Sequence, residues 1–470
     1  MVFSSIIFLC YFFPLFLLSF YVTGRSKYTV LLFSILFYAW GEPVYVALML
    51  LSIFVNYWTG RAIERYREQG YARRWLICGI AYNLAPLIVF KYTHFLGSIV
   101  SATLGISDPT ARFGEIPLPL GISFYTFHAI SYLVDVYRRD VAAERRLLDL
   151  AVYISMFPQL IAGPIIRFKN IAKELHHPVV SFERTVHGTR WLLIGLGQKV
   201  LIANVLAVPA DAIFNLPPER LSAADAWIGT ACYTLQIYYD FCGYSTMAVG
   251  LALMIGLQFP WNFNYPYTAT SVTDFWRRWH ITLSQWFRDY VYIPLGGSRV
   301  SRPRTSRNLI VVFLLCGIWH GAGWTFVVWG LLHGAFLMFE RVGFGQTLKR
   351  LPLAVCRTYT LTVVMVGWVL FRSGTLHQAQ HHLRAMAGFG APYAFGPPIG
   401  RFLHNDVLLA GAVAILASAP WLGSAITVFD QRLSLGPLRV VKVGVLVSVL
   451  LLALMSMAGG AYNPFIYFRF

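Results

Sequence analysis

Long apolar segments follow one another along most of the chain, separated by short polar loops. A helix of about 20 apolar residues crosses the roughly 30 Å hydrocarbon core of a bilayer. Residues 4–21, 75–90 and 440–457 are segments of this kind, and similar segments recur between them. The pattern predicts an all-α polytopic membrane protein with about eleven transmembrane helices plus re-entrant or interfacial helices.

Two apolar segments contain residues that modify this prediction. Pro158, Gly163 and Pro164 interrupt the run at residues 147–166. We expect the backbone groups freed by this break to be buried in protein, because lipid cannot satisfy them. The run at residues 227–257 predicts an apolar hairpin that carries a polar patch.

Residues 273–292 predict a single amphipathic helix in the membrane interface. At about 100° per residue, its aromatic side chains fall on one face and most of its charged side chains on the other. His280 falls at the edge of the aromatic face. We therefore expect the His280 side chain to point into the protein.

Composition and charge support the membrane prediction and exclude other classes. The chain is 57% hydrophobic and only 12% charged, and its net charge of +18 comes from basic residues in short loops. This distribution is typical of cytoplasmic loops and does not indicate a nucleic-acid surface. The six cysteines form no CxxC pair, so neither a disulfide framework nor a metal site is predicted. No stretch is polar enough for a separate soluble domain, which favours one domain over residues 1–470.

Two histidines are the main candidates for chemistry. His280 and His320 each follow a tryptophan and stand beside long apolar runs. An ionisable side chain at the edge of a membrane segment is costly, which marks it as a candidate for function. Two further histidines, His128 and His333, lie among apolar residues, and we favour structural roles for both.

The polar patch in residues 227–257 contains Gln236, Tyr239 and Asp240. An unpaired carboxylate among apolar residues would be too costly, so Asp240 is expected to have a partner. Two interpretations stay open: Asp240 forms part of the site, or it forms a buried ion pair with an arginine.

Neutral imidazole is the usual general base near pH 7 and suits removal of a hydroxyl proton. The sequence contains no HExxH zinc motif, no GxSxG elbow, no phosphate-binding P-loop and no dinucleotide-binding motif. Once these motif-dependent reactions are excluded, acyl transfer to a hydroxyl is the chemistry that fits the remaining residues. A transporter is the alternative of a different class, although the paired repeats of many transporters are not evident.

The segment WRRWHITLSQWFRDYVYIPLGG, which contains His280, and the segment GIWHGAGWTF, which contains His320, resemble the two motifs of the membrane-bound O-acyltransferase family. FPQLIAGPIIRF, YYDFCGYSTMAVGLALMIG, VGWVLFR and the final PFIYFRF extend this resemblance over most of the chain. It is strongest to the members that acetylate exopolysaccharides such as alginate or cellulose. The resemblance implies a central funnel and a catalytic core at about residues 118–340.

The resemblance also implies roles for individual residues. His320 would be the catalytic base, and His280 would orient or polarise the acyl carbonyl. The remaining candidates would contact substrate, in the chamber or near its mouth: Gln236, Tyr239, Asp240, Asp274, Arg277 and Trp319.

The implied reaction moves an acetyl group from a cytoplasmic donor, acetyl-CoA, across a bacterial inner membrane, with no resident cofactor or metal. Periplasmic acetyl-relay proteins would be its partners and an exopolysaccharide the final acceptor. Other reactions of the same family stay open, namely D-alanylation of teichoic acid and acylation of lipids or proteins.

Overall fold

The computed structural model describes residues 1–114, 116–392, 402–421, 435–460 and 462–464; within residues 435–439 only the backbone is described. All regular secondary structure in these ranges is helical, and they contain no β-strand. The predicted all-α class is confirmed. The chain divides into two compact units: residues 1–192 with 247–260, and residues 193–246 with 261–470. The prediction of one domain over residues 1–470 stays a prediction.

The first unit consists of α-helices joined to shorter π and 3₁₀ turns. Its elements are Ile7–Phe12 (π), Phe13–Val22, Lys27–Gly41, Val46–Arg65, Ala72–Leu87, Ile88–Tyr92 (π), Thr93–Leu104, Ala111–Phe113 (3₁₀), Ile122–Arg138, Leu147–Ser155, Phe157–Leu160 and Phe168–His176. Two further α-helices, Phe182–Gly197 and Ala223–Met254, contain residues of both units.

The second unit contains every predicted site residue. Its elements are Gln198–Ala203 (π), Asn204–Phe214, Pro218–Arg220 (3₁₀), Pro266–Thr268 (3₁₀), Val272–Arg278, Ile281–Phe287, Arg288–Tyr292 (π), Arg302–His320, Trp324–Phe339, Glu340–Phe344 (π), Gly345–Leu348, Leu353–Arg372, Leu376–Arg384, Ala385–Phe389 (π), Asn405–Ala417 and Leu435–Ala458.

Six helical segments among the described residues are long and apolar enough to cross a membrane. They are Val46–Arg65, Ala72–Leu104, Phe182–Phe214, Trp324–Leu348, Leu353–Arg372 and Val440–Ala458. Three shorter apolar helices accompany them: Ile7–Val22, Lys27–Gly41 and Asn405–Ala417. The membrane-helix character is confirmed, whereas the predicted count of about eleven spans is not.

The predicted break near Pro164 lies within the first unit and is buried. Helix Phe157–Leu160 ends there, and side chains bond the freed backbone groups. The Tyr153 hydroxyl donates to the Ile166 carbonyl at 2.8 Å, and the Ile166 N–H donates to His128 Nε2 at 3.4 Å. His128 is fully buried. This bond supports the structural role that we favoured for His128.

The predicted hairpin at residues 227–257 is wrong, because Ala223–Met254 is one continuous helix of 32 residues. Gly243 does not form a turn in it. A Cβ at Gly243 would lie 2.8 Å from the Gly195 carbonyl oxygen and 2.9 Å from the Lys199 nitrogen. This glycine therefore allows close backbone packing, which its sequence position does not distinguish from a turn.

The predicted single helix at residues 273–292 is also wrong. Val272–Arg278 ends before His280, which has the left-handed angles φ 43° and ψ 55°, and Ile281–Phe287 begins after it. A non-glycine residue in this region is uncommon and costs free energy. The periodicity of the side chains continued through this position and could not reveal the kink.

Candidate active site

Two helices, Arg302–His320 and Trp324–Phe339, form a tightly packed hairpin that carries the predicted catalytic histidine. Gly317 and Gly330 make the close approach possible. A Cβ at Gly317 would lie 2.3 Å from the Phe326 carbonyl oxygen, and a Cβ at Gly330 would lie 2.3 Å from the Phe313 carbonyl oxygen. Only glycine fits at such contacts.

His320 is the last residue of its helix and is enclosed by aromatic rings. Its imidazole is centred 4.8 Å from the Trp319 ring, 5.1 Å from the Trp329 ring and 5.1 Å from the Phe371 ring. The residue is 5% exposed. The space around this imidazole is therefore small and largely apolar.

His280 lies near the same tryptophan. Its imidazole centre is 6.5 Å from the Trp319 ring and 4.5 Å from the Phe241 ring, and the residue is fully buried. The structure thus brings His280, Trp319 and His320 together, and their roles in a site stay a prediction.

Asn262 holds His280 in position, and the sequence analysis did not single it out. The Asn262 carbonyl accepts the Ile281 N–H at 2.9 Å, which stabilises the kink. Its side-chain Oδ1 accepts the Thr282 N–H at 3.3 Å and the Thr282 hydroxyl at 2.6 Å, and it lies 3.4 Å from His280 Nδ1. The Thr282 N–H can only donate, so the Asn262 amide atom that faces it is the oxygen. An amide oxygen only accepts, so His280 Nδ1 is the donor in their contact.

This contact determines the tautomer of the neutral His280 ring. Nδ1 carries the proton that it donates to Asn262, so Nε2 carries the lone pair. Nε2 is buried and has no hydrogen-bond partner among the described residues. Burial lowers the pKa of His280 to about 3, which keeps the ring neutral. In this state Nε2 can accept a hydrogen bond from a hydroxyl, whereas polarising a carbonyl would require an N–H.

Asp240 forms a buried ion pair with Lys199. The carboxylate oxygen lies 2.6 Å from the ammonium nitrogen, and both side chains are almost fully buried. Lys199 also donates to the Asn204 side chain at 2.8 Å and to the Pro464 carbonyl. The expected partner is present, but it is a lysine and not the arginine that we considered. A direct role of Asp240 in binding substrate stays a prediction.

Tyr239 and Gln236 face different surroundings. The Tyr239 hydroxyl donates to the Ala414 carbonyl at 2.7 Å. Gln236 is 3% exposed, and its Oε1 has no hydrogen-bond partner among the described residues. Gln236 lines a cavity of about 620 Å³, which we call the polar cavity.

The polar cavity lies beside His320. Its wall includes Gly323 and Phe326 from the start of the second hairpin helix, and Phe371, whose ring contacts both Phe326 and His320. The remaining lining residues are Asp211, Asn215, Tyr233, Ala322, Thr325, Arg372, Ser373, Gly374, Gln378, Tyr462, Asn463 and Pro464. Phe371 therefore stands between this cavity and the imidazole.

A second cavity of about 660 Å³, which we call the basic pocket, lies at the other end of the hairpin. Its lining residues are Thr270, Ser271, Thr273, Asp274, Arg277, Leu309, Leu337, Glu340, Arg341, Gly345, Gln346, Leu348 and Lys349. Along helix Trp324–Phe339, Phe326 lines the polar cavity and Leu337 lines the basic pocket, and the two are 11 residues apart, or about 16.5 Å at 1.5 Å per residue. The predicted site residues Asp274 and Arg277 thus lie far from the polar cavity.

The acids of the basic pocket are already bonded, whereas its cations are not. Asp274 pairs with Arg278 at 2.9 Å, and Glu340 accepts the Val272 N–H at 2.6 Å and the Thr273 hydroxyl at 2.6 Å. The cations facing the pocket are Arg277, Arg341 and Lys349. The side chains of these three residues form no ion pair or hydrogen bond within the part of the chain that the structure describes. The pocket can therefore receive an anion.

His333 lies on helix Trp324–Phe339 and is fully buried. The Trp276 indole N–H donates to His333 Nδ1 at 3.3 Å. The Trp329 ring lies between the two histidines of the hairpin, centred 5.0 Å from His333 and 5.1 Å from His320. The hydrogen bond and the ring packing support the structural role that we favoured for His333.

Sequence reasoning missed several residues of these sites. Lys199 stood out only as an interruption of an apolar run, and Asn262 lies in a loop that reads as a surface crossing. Arg341, Lys349 and Arg372 resemble ordinary charges at helix ends. Two signals were available, a lysine inside an apolar segment and a carboxylate expected to have a partner, and combining them would have suggested the Lys199–Asp240 pair.

The chain belongs to the membrane-bound O-acyltransferase family, whose model matches residues 138–372, a segment that includes both His280 and His320. Over its full length it is 37% identical to the probable alginate O-acetylase of Pseudomonas putida, with all of both chains covered. It is 37% identical to the peptidoglycan O-acetyltransferase of Helicobacter pylori, covering 73% of this chain and 70% of that protein. A more distant relative, the teichoic acid D-alanyltransferase of Bacillus subtilis, is 28% identical over 56% of this chain and 70% of its own length.

These similarities show an O-acyltransferase. Together with the six candidate spans they show a multi-pass membrane protein. The family resemblance seen in the two histidine motifs is confirmed.

Proposed function

We propose that this chain transfers an acetyl group from cytoplasmic acetyl-CoA across a bacterial inner membrane for O-acetylation of an exopolysaccharide such as alginate or cellulose. The observation that carries the proposal is the common placement of His280 and His320 around Trp319 within the segment that the family model matches. The full-length similarity to an alginate O-acetylase supports the choice of polymer. Periplasmic acetyl-relay proteins are the expected partners.

In this reaction His320 is the general base. An acceptor hydroxyl oxygen attacks the carbonyl carbon of the thioester while its proton passes to the imidazole of His320. The carbon–sulfur bond then breaks, and the leaving thiolate takes the proton back. His280, whose Nε2 can accept a hydrogen bond, helps to hold the acceptor hydroxyl. Gln236, Trp319 and the ion-paired Asp240 shape the surroundings.

The basic pocket is the proposed binding site of the acyl donor, acetyl-CoA. Its end of the hairpin carries Arg302, Arg304 and Arg307, and such basic ends face the cytoplasm. Acetyl-CoA bears phosphate groups, which unpaired guanidinium and ammonium groups bind well. Arg277, Arg341 and Lys349 would hold these phosphates.

Removing two of these cations is expected to weaken the donor specifically. In Arg341→Gln/Lys349→Gln, the KM for acetyl-CoA should rise at least tenfold with little change in kcat, because a hydrogen bond to a charged group contributes about 1.5–3 kcal/mol. Steady-state kinetics in nanodiscs would measure both constants. Arg350→Gln, which removes a neighbouring exposed charge outside the pocket, is the matched control.

A donor without phosphates sharpens this test. The KM for S-acetyl-N-acetylcysteamine should be the same in the wild type and the double variant. An equal loss with both donors would contradict a phosphate role for these two side chains.

The aromatic enclosure of His320 supports a small acyl group. The Trp329 and Phe371 rings both contact the imidazole, with ring centroids 5.1 Å away, and Trp329 is 1% exposed. Fatty acyl chains would need these rings to move. D-alanine is also small, so the enclosure does not separate an acetyl group from a D-alanyl group.

Shortening Trp329 is expected to relax the choice of acyl group. In Trp329→Leu the ratio of propionyl to acetyl transfer should rise about tenfold, since one methylene in an apolar pocket is worth about 1–3 kcal/mol. Competition between the two thioesters measures the ratio directly. Trp324→Leu, at a half-exposed position on the same helix, should leave the ratio unchanged.

The proposed function itself is tested with purified protein in nanodiscs and radiolabelled acetyl-CoA. Thioester loss and label transfer would be followed with alginate, cellulose and peptidoglycan fragments, each with and without periplasmic proteins. Transfer to an exopolysaccharide fragment is the expected result. Transfer from a D-alanyl carrier protein, without use of acetyl-CoA, would replace the proposal by teichoic acid D-alanylation.

A further inference from the structure

A third cavity, of about 830 Å³, is lined only by residues of the first unit, which contains none of the predicted site residues. Two candidate membrane spans, Val46–Arg65 and Ala72–Leu104, contribute most of its wall. Its volume falls in the range of roughly 300–1,000 Å³ found for small-molecule sites. We call it the aromatic–arginine pocket, because its wall includes three large rings and three guanidinium groups: Phe54, Trp58, Trp75, Arg61, Arg65 and Arg145.

Four of these residues follow one face of helix Val46–Arg65. Phe54, Trp58, Arg61 and Arg65 are spaced four, three and four residues apart, which is the repeat of a single helical face. The rings therefore come first along the helix and the guanidinium groups last, over about 16.5 Å at 1.5 Å per residue. An apolar surface that ends in cations matches an anionic phospholipid, whose acyl chains end in a phosphate.

The rings of the pocket face the lipid. Phe54 is 51% exposed, Trp58 52% and Trp75 41%, although all three belong to candidate membrane spans. Exposed apolar side chains on a spanning helix contact acyl chains, and tryptophan is enriched where the acyl chains meet the headgroups. In a bilayer the pocket is therefore filled by lipid, and the charge of its wall decides which headgroup is preferred.

The wall carries more positive than negative charge. Its one carboxylate, Glu64, pairs with Arg145 at 2.6 Å. Arg61 donates to the neutral Tyr57 hydroxyl at 3.0 Å and lies over the Trp58 ring. The Arg65 guanidinium lies over the Tyr66 ring and forms no ion pair or hydrogen bond within the described ranges. Two guanidinium groups are thus left to bind an anion.

The neighbouring charges place this end of the helix on the cytoplasmic side. Arg67, Arg73 and Arg74 follow within nine residues of Arg65, and such basic loops face the cytoplasm. Anionic lipids make the cytoplasmic leaflet negative, and basic pockets between membrane helices on this side bind anionic headgroups. A guanidinium group also suits phosphate, because it can donate two parallel hydrogen bonds.

We propose that the aromatic–arginine pocket binds an anionic phospholipid of the cytoplasmic leaflet. Arg61 and Arg65 bind its phosphate, and an acyl chain lies against the Phe54 and Trp58 rings. A zwitterionic lipid binds less well, because its own cation already neutralises the phosphate. The proposal needs neither an acyl donor nor an acceptor, so it stands or falls apart from the proposed function.

Photo-crosslinking of the full-length protein in phosphatidylcholine nanodiscs tests the site directly. The probe is a small amount of phosphatidylglycerol with a diazirine in its acyl chain, and mass spectrometry measures the label on residues 46–75. Excess unlabelled phosphatidylglycerol should displace the label. In Arg61→Gln/Arg65→Gln the label should fall at least tenfold, because both cations that bind the phosphate are lost.

The matched control is Arg73→Gln/Arg74→Gln. It removes the same charge from two exposed neighbours that do not line the pocket, and its label should equal that of the wild type. An equal loss in both double variants would show attraction to the basic surface as a whole and would overturn the site. Equal labelling by a phosphatidylcholine probe would overturn it too, as would displacement by glycerol 3-phosphate or acetyl-CoA.

A single substitution keeps the test decisive if the double variant does not fold. Arg65 is exposed and forms no hydrogen bond or ion pair in the described ranges, so Arg65→Gln should fold normally. Its label should fall about fivefold, with Arg74→Gln as the control. Unchanged labelling of Arg65→Gln would remove this arginine, and with it the proposed lipid site.

Discussion

Replacing His320 by alanine or glutamine is expected to lower acetyl transfer by about 10²–10⁴-fold, the usual contribution of a general base. The imidazole contacts all three of the Trp319, Trp329 and Phe371 rings, with centroids 4.8–5.1 Å apart. Water is largely excluded there, so solvent cannot take its place as a base. The loss should appear in kcat, because removing the base leaves donor binding in the distant basic pocket intact.

The measurement is single-turnover transfer of radiolabelled acetyl groups by protein in nanodiscs. His382→Gln is the matched control. His382 is also buried, but it forms a hydrogen bond with the Thr230 hydroxyl at 2.9 Å and stacks on Phe214, so we assign it a structural role. Glutamine retains a donor toward the Ala226 carbonyl, so this variant should keep its turnover. Unchanged transfer in both His320 variants would remove His320 from the mechanism.

The second large effect is expected at the Lys199–Asp240 pair. Lys199→Met should lower the free energy of unfolding by about 3–5 kcal/mol, because the Asp240 carboxylate loses its ammonium partner in a buried environment. The bonds to Asn204 and to the Pro464 carbonyl disappear with it. Thermal unfolding of the purified protein would report the change.

A double variant separates the ion pair from general packing. Lys199→Met/Asp240→Leu should recover much of the lost stability, since replacing both members of a buried pair by apolar side chains is often neutral or stabilising. Arg288→Met is the control, because Arg288 is 57% exposed in its pair with Asp289 and such surface pairs contribute about 0–1 kcal/mol. A Lys199→Met protein as stable as the wild type would show that the pair contributes nothing.

These two predictions also separate catalysis from folding. His320 variants should fold normally and fail to transfer, whereas Lys199→Met should fold poorly and retain turnover in whatever fraction is folded. Asp240 was predicted as a substrate contact, and Asp240→Asn distinguishes the two roles. Asparagine keeps the size and can still bond Lys199, so a loss of turnover without a loss of stability would favour the substrate role.

The candidate catalytic residues could be predicted from the sequence, because the free-energy cost of placing an ionisable side chain beside an apolar run depends only on the local sequence. Histidines and a carboxylate next to long apolar runs are expensive wherever the chain folds, so His280, His320 and Asp240 stood out without a structure. Their hydrogen-bond and ion-pair partners could not be predicted in the same way. Asn262 and Lys199 meet them only through folding, since each lies on a different element of the unit.

The helical kink at His280 shows the same limit. Side-chain periodicity reports which face of a helix is apolar, and that face continues through the kink. The left-handed angles at His280 are held by the Asn262 carbonyl, which bonds the Ile281 N–H, and by the Arg278 carbonyl, which accepts the Asn264 N–H at 3.0 Å. These bonds join residues whose pairing no local pattern specifies.

The sequence by itself determined the helical membrane class and the two histidines, because hydrophobic length and the cost of isolated polar groups are properties of short segments. The family followed separately, from the resemblance of the two histidine motifs. The tertiary structure alone decided the tautomer of His280, the ion pair of Asp240 and the separation of a basic pocket from a polar cavity along the hairpin. Each of these depends on distances of a few ångströms between side chains from different elements. Such distances follow from packing, which no single segment encodes.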